Sequence, residues 1–259
     1  MKIDDDRSRA PAVDSAIKIL ELLSNSNHPL TLSEICSELK IPNSTGHRIM
    51  NELHSKNMVD YDATRVKAYC LGSQIFIMTS AVYNKQRLIP YFQPIGEQLS
   101  KETDLPVILT IPIGSNVVVI AKIDTNYSNL PLMHIGKTIP MHASAAGKAF
   151  LSMQSQRYID NYFKQTILEA CTNSTITHIQ ELKQSLITSA ELGYAFAENE
   201  FLGNLYAVAA PVVNIKNEAI AAISIYQHES HNQIFHLHNL ANTVIDAASQ
   251  LSLLIQHTG

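Results

Sequence analysis

The stretch from Thr31 to Gly72 constrains the fold more than any other part of the chain. Thr31-Leu-Ser-Glu34 sets a hydroxyl and a carboxylate three residues apart, a pattern in which each side chain caps a free amide at a helix start. A short helix follows to Leu39, with Ile35 and Leu39 one turn apart. Lys40-Ile-Pro42 ends it, because proline lacks an amide donor and disfavours helical geometry in the residue before it. A second helix is expected from about Asn43 or Ser44 to Ser55, held down through Ile49, Met50 and Leu53. Met58–Tyr61 and Val66–Leu71 read as short strands joined by a turn at Asp62-Ala-Thr-Arg65, and Gly72 closes the unit. An earlier helix spans Val13–Leu23, with apolar residues at 13, 16, 17, 20 and 23 and Asp14 at or near its N-cap. The order helix, helix, turn, helix, hairpin is that of a winged helix-turn-helix.

A helix that lies in a DNA groove needs one apolar face for its own core and short polar or basic side chains on the other. Asn43–Asn51 has this division. Ser44, Thr45, His47, Arg48 and Asn51 are expected to face DNA, with a phosphate favoured at the helix N-terminus beside Ser44 and Thr45. Arg65 and Lys67 are placed on the wing as further contacts, with Lys56 just before it and Arg7 and Arg9 as a minor-groove arm. Gly46 inside this helix costs about 1 kcal/mol relative to alanine. It is expected either to let the backbone approach DNA or simply to be tolerated. A winged helix used only for protein contacts is the competing reading. Charge leans towards DNA: Arg7 to residue 88 holds ten Lys/Arg against seven Asp/Glu, although the whole chain carries −4.

The expected organisation is a flexible tail over 1–9, the winged unit over 10–72, a linker helix over 73–88 and a second domain over 89–259. In that second domain Tyr91–Glu102, Ser144–Met153, Ser155–Phe163, Ile179–Leu192 (stopped by Gly193) and His231–His257 read as helices. Val107–Ile113 and Asn116–Ile123 form a hairpin about Gly114-Ser115, and Leu205–Val213 pairs with Ala219–Tyr226. Such mixed elements with hairpins make an α+β chain.

Several functions are excluded. No run approaches 18 apolar residues, and the acidic start Met1-Lys-Ile-Asp-Asp-Asp lacks a signal-peptide core, so no membrane partner and a cytoplasmic location are expected. Cys36, Cys70 and Cys171 lie far apart, which suits buried free thiols rather than a disulfide framework or zinc site. His228/His231 and His236/His238 have close spacing but no carboxylate or cysteine cluster, so no metal is expected; His134 and His142 read as packing residues. Ala146-Gly-Lys-Ala149 is no phosphate loop: His142 stands where the first glycine belongs, and Ala149 replaces the required Ser/Thr. With no nucleophile elbow either, the chain reads as a non-enzyme without a cofactor.

Taken together, Val13-Asp-Ser-Ala-Ile-Lys-Ile-Leu, Pro42-Asn-Ser-Thr-Gly-His-Arg, Tyr69-Cys-Leu-Gly72, Met141-His-Ala-Ser-Ala-Ala-Gly-Lys-Ala-Phe-Leu151, Gly193–Phe201, Ala209-Ala-Pro-Val212 and Ala221-Ala-Ile-Ser-Ile225 resemble the IclR-type (isocitrate lyase regulator) family, in order and spacing, from about Ala10 to the C-terminus. The resemblance implies a transcriptional regulator. It would have a GAF-like effector domain with a mixed or antiparallel sheet and flanking helices, assemble as a homodimer or dimer of dimers, and bind palindromic double-stranded operators. Its effector would be a small organic, sugar or aromatic acid. A ligand-sensing or protein-interaction module with a degenerate DNA-binding domain is the alternative.

A small carboxylate is well held by backbone amides at a helix start, and Ser144-Ala-Ala-Gly-Lys148 supplies small residues there. Met133 and Met141 are expected as apolar walls. The resemblance implies that Ala145 and Ala146 contact the effector. It also makes Ser224 a retained site residue. It sets Ala197 and Ala207 where relatives carry a carboxylate and a cysteine, leaving Glu198 and Glu200 as the nearby acids. Those two alanines imply an effector larger or less polar than glyoxylate or pyruvate, or loss of effector binding.

Overall fold

The computed structural model describes residues 9–83, 88–125, 133–228 and 237–256. The chain divides into two compact units, residues 1–85 and 86–259.

In the first unit, α1 (Pro11–Asn25) starts with proline at its first position, where the missing amide costs nothing. No side chain caps it; Asp14 lies within the first turn and pairs with Lys18 at 2.8 Å, so the expected Asp14 cap is corrected. A two-residue strand β1 (Leu30–Thr31) leads into α2 (Leu32–Leu39). The capping box is present: the Thr31 hydroxyl accepts from the Glu34 amide, and the Glu34 carboxylate accepts from the Thr31 amide at 2.7 Å. Lys40 turns the chain in a left-handed conformation, and α3 (Asn43–Ser55) begins after Pro42. β2 (Val59–Tyr61) and β3 (Ala68–Leu71) form the wing, with β1 as a third strand beside β3 that period and composition do not reveal. Ile19, Ile35, Ile49, Met50 and Val59 make the core of the unit. Gly46 is part of that core rather than of the outer face: a Cβ there would collide with Cys36 Sγ on α2. The glycine therefore serves close helix–helix packing, not approach to DNA.

α4 (Ser73–Tyr83) follows within the stretch expected as one helix over 73–88; residues 84–87 lie outside the described residues, and Leu88 belongs to α5 (Leu88–Thr103). The second unit is built on one sheet, all of whose neighbouring strands run antiparallel. It comprises β4 (Val107–Ile113), β5 (Asn116–Ile123), β6 (Thr138–Pro140), β7 (Ala195–Glu198), β8 (Leu205–Val213) and β9 (Ala219–His228), in the order β6-β5-β4-β9-β8-β7. After β6 come a 3-10 turn (Met141–Ala143), α6 (Ala145–Ser152), α7 (Gln156–Gln165) and α8 (Ile179–Leu192). The final helix α9 (Ala241–Gln256) starts ten residues later than expected, behind a 3-10 turn at Leu237–Leu240.

Alternation along the strands divides the apolar residues between two cores. On β9, Ala221, Ile223 and Ile225 pack with α5 and α9, through Phe92, Leu99, Val244 and Leu251. Ala222 and Tyr226 face the other way, into a layer with Ala145, Ala149, Phe150, Leu182 and Leu186 of α6 and α8. Ser224 sits on this second side by period.

Candidate functional site

The outer face of α3 carries the expected residues. Ser44, Thr45, His47, Arg48 and Asn51 are exposed, whereas Gly46, Ile49 and Met50 are buried. Asn51 Nδ2 lies 3.3 Å from His47 Nδ1, one turn apart on the same face. The first turn of α3 holds no acid and no side chain caps it, so nothing there repels an anion from its amides. Lys67 is exposed on the wing in a left-handed conformation, and Lys56 is exposed beside Glu52 at 3.7 Å. Arg9 is exposed; Arg7 lies outside the described residues.

Arg65 behaves differently from its expected role as a wing contact. Its guanidinium donates to the Pro29 carbonyl at 2.6 Å and to Glu34 Oε1 at 2.7 Å. The side chain thus ties the wing to the capping box of α2. Asp62 sets this up by accepting from the amides of Thr64 and Arg65, both at 2.8 Å. The hydrogen bond from Arg65, followed by those from Thr31, pulls the Glu34 carboxyl down to about 2.

The second unit holds a partly open cavity of about 30 Å³. Met133, Ala145, Ala146, Glu200 and Ser224 line it, five of the seven effector residues expected from the sequence. Met141 and Glu198 do not. Met141 is fully buried with its backbone against Gly147, where any Cβ would collide with it. Glu198 ends β7 on the exposed side of the strand. Ala197 and Ala207 are direct partners across β7 and β8, and Ala207 in turn faces Tyr226 on β9. This row lines the cavity, and its two alanines leave the space beside the Tyr226 ring free of bulk. Ser224, one pleat along, stands opposite Ile108 of β4.

Ser144 caps α6 by accepting from the Gly147 amide at 3.1 Å and donates to the Pro140 carbonyl at 2.9 Å. The first turn of α6 therefore reaches the cavity wall through Ala145 and Ala146, with their small side chains. Lys148, one turn on, spans to Glu200 Oε1 at 2.6 Å; the two side chains are 3% and 9% exposed. Thr175 donates to the Glu200 carbonyl at 2.6 Å and fixes that loop. Among the described residues, six buried side-chain polar atoms have no hydrogen-bond partner. Three of them, Glu200 Oε2, Ser224 Oγ and the Tyr226 hydroxyl, belong to residues lining this one cavity. Buried polar groups are nearly always paired, so such a cluster makes this cavity the candidate for a polar ligand. Burial, reinforced by the charge of Asp124, pushes the Tyr226 phenol up and keeps it a neutral donor. Sequence reasoning missed Tyr226, although its position two residues beyond Ser224 puts it on the same strand face.

Comparison with known proteins fits both halves of this geometry. The model of the IclR helix-turn-helix domain matches residues 12–63, and that of the bacterial transcriptional regulator IclR C-terminal domain matches residues 80–253. The chain is 29% identical over 246 residues to the HTH-type transcriptional regulator KipR of Bacillus subtilis, covering 94% of this chain and 98% of that one. It is 27% identical over 261 residues to the transcriptional repressor IclR of Escherichia coli, covering 95% of each. Among solved structures, Thermotoga maritima IclR aligns with a TM-score of 0.78 at 21% identity, over 94% of this chain and 98% of that one. An IclR homologue from Microbacterium hydrocarbonoxydans, complexed with 4-hydroxybenzoate, aligns with a TM-score of 0.76 at 17% identity, over 95% and 100%. A winged unit with a polar outer helix, joined to a sheet domain with a lined cavity and matched along nearly its whole length, places the chain in the IclR family of DNA-binding bacterial transcriptional regulators.

Proposed function

We propose that this regulator binds a two-fold-related operator as a homodimer, or as a dimer of dimers, through the outer face of α3, and that a small molecule in the cavity of the second unit sets its operator affinity. The carrying observation is the clean division of α3: five polar side chains outward, and Gly46, Ile49 and Met50 inward. Ser44, Thr45, His47, Arg48 and Asn51 meet DNA, with Lys67 and Lys56 at the phosphates and the tail supplying Arg9. Arg65 is left out of this set, because its guanidinium is spent on Pro29 and Glu34. Dimer formation is supported by apolar side chains left in solvent on the first unit, among them Val13 and Ile17 on α1 and Phe76 and Met78 on α4, which are each more than half exposed.

The protein acts by binding and not by catalysis, in the cytoplasm where the chromosome lies. No described helix is long and apolar enough to cross a membrane. The effector shifts operator affinity only as far as it binds one arrangement of the dimer better than the other.

Operator titration at several salt concentrations tests the DNA half. Arg48→Ala is expected to weaken binding and, if the contact is to a phosphate, to lower the salt slope by about one. An unchanged curve removes Arg48 from the interface. A wild type that binds no site near its own gene overturns the DNA reading in favour of a sensing module.

A further inference from the structure

We propose that the effector of this protein is a compact hydroxy acid of three or four carbons, whose carboxylate meets the start of α6 and whose hydroxyl is read by Glu200, Ser224 and Tyr226. The inference rests on the reading of the cavity as the effector site and adds what kind of molecule it selects.

The unmatched atoms of the lining have unequal demands. Glu200 Oε1 is taken by Lys148, leaving Oε2 as a buried oxygen that can only accept. A ligand that meets it must carry a donor, and a keto or plain carboxylic acid has none when ionised. Ser224 Oγ and the Tyr226 hydroxyl donate or accept, and both residues are 2% exposed. They can serve a hydroxyl or one oxygen of a carboxylate. Lys148 is not free to balance a ligand charge, since its ammonium is held by Glu200. The amides at the head of α6, beside Ala145 and Ala146, are then the anion-favouring element of the lining, and the three orphaned side chains are left to read the hydroxyl. Ala197 and Ala207 bring no polar group, and Met133, Ile139, Phe201 and Leu205 close the rest with apolar surface. The small volume selects a short body. A site built to bond a hydroxyl rejects the analogue without it far more strongly than an apolar pocket rejects a missing methylene, because its own buried groups are left unpaired.

The test is calorimetric titration of the full chain with two matched sets: lactate, propionate and pyruvate, and 3-hydroxybutyrate, butyrate and acetoacetate. The hydroxy member of one set is expected to bind at least tenfold tighter than its two companions. Tyr226→Phe keeps the ring in place and is expected to weaken that ligand at least fivefold. Tyr162→Phe removes another buried hydroxyl, one outside the cavity lining, and is expected to leave affinity unchanged. Thermal melting of each variant confirms folding. If acids bind with no preference for the hydroxyl, or Tyr226→Phe and Tyr162→Phe behave alike, the hydroxy-acid assignment is overturned, while binding of any of the acids still supports an effector role for the chain. If none of the six binds or shifts the melting temperature, the assignment is overturned and the effector reading of the cavity loses its support with it.

Discussion

At the scale of single residues, two ion pairs do different work. Arg65–Glu34 joins the wing to α2 at the surface, where an isolated pair contributes little by itself, but the guanidinium also holds the Pro29 carbonyl. Because the folded-state pKa of Glu34 lies near 2, below its unfolded value of 4.5, the pair supports the fold above the unfolded value and is lost as pH falls towards 2. Glu34→Gln is therefore expected to flatten the acid limb of unit-1 stability between about pH 4.5 and 2, read by melting across that range. A limb identical to wild type would show that Glu34 is not the titrating group. Lys148–Glu200 is the opposite case, with both side chains nearly sealed from water. Lys148→Met leaves a buried carboxylate unpaired and is expected to cost about 3–5 kcal/mol in chemical denaturation. Adding Glu200→Leu should recover much of that loss; additive losses would refute the pairing. Neither bond was legible beforehand. Arg65 reaches residues 31 and 36 positions away and Lys148 one 52 away, and local patterns carry no information on such partners.

At the scale of elements, local rules performed well where one backbone stretch decides the outcome. The capping box of α2, the stop at Gly193 with its left-handed backbone, and the span of β8 all follow from residues within a turn or two. β1 escaped notice because two residues form a strand only through β3, and Glu198 falls outside the cavity lining because the pleat turns it outward while Glu200, beyond the strand end, lines the cavity. Gly46 shows how tertiary packing overrides helix propensity. In isolation Gly46→Ala favours the helix by about 1 kcal/mol. Against Cys36 Sγ the added methyl has no room, so the variant is expected to lose about 1–3 kcal/mol instead. Cys36→Ala in the same chain should return most of it. Equal melting temperatures for Gly46→Ala and wild type would mean that α2 and α3 separate without penalty.

At the scale of the whole molecule, the two units carry separate cores. A ligand in the cavity should therefore stabilise residues 86–259 selectively, by about 2.7 kcal/mol at a free concentration a hundredfold above its dissociation constant, and raise the melting transition of that unit. Differential scanning calorimetry with and without ligand reads this directly, and a rise confined to the first unit would place the ligand elsewhere.

Strand β9 has a consequence for signalling. Its backbone seats Ser224 and Tyr226 on the cavity side and, at the alternate positions, Ile223 and Ile225 in the layer with α5 and α9. Both faces belong to one backbone, so a shift of the strand towards one layer would be a shift away from the other. α5 is also the first helix of the second unit in chain order, so a ligand that displaced β9 would act on the element that follows residues 1–85.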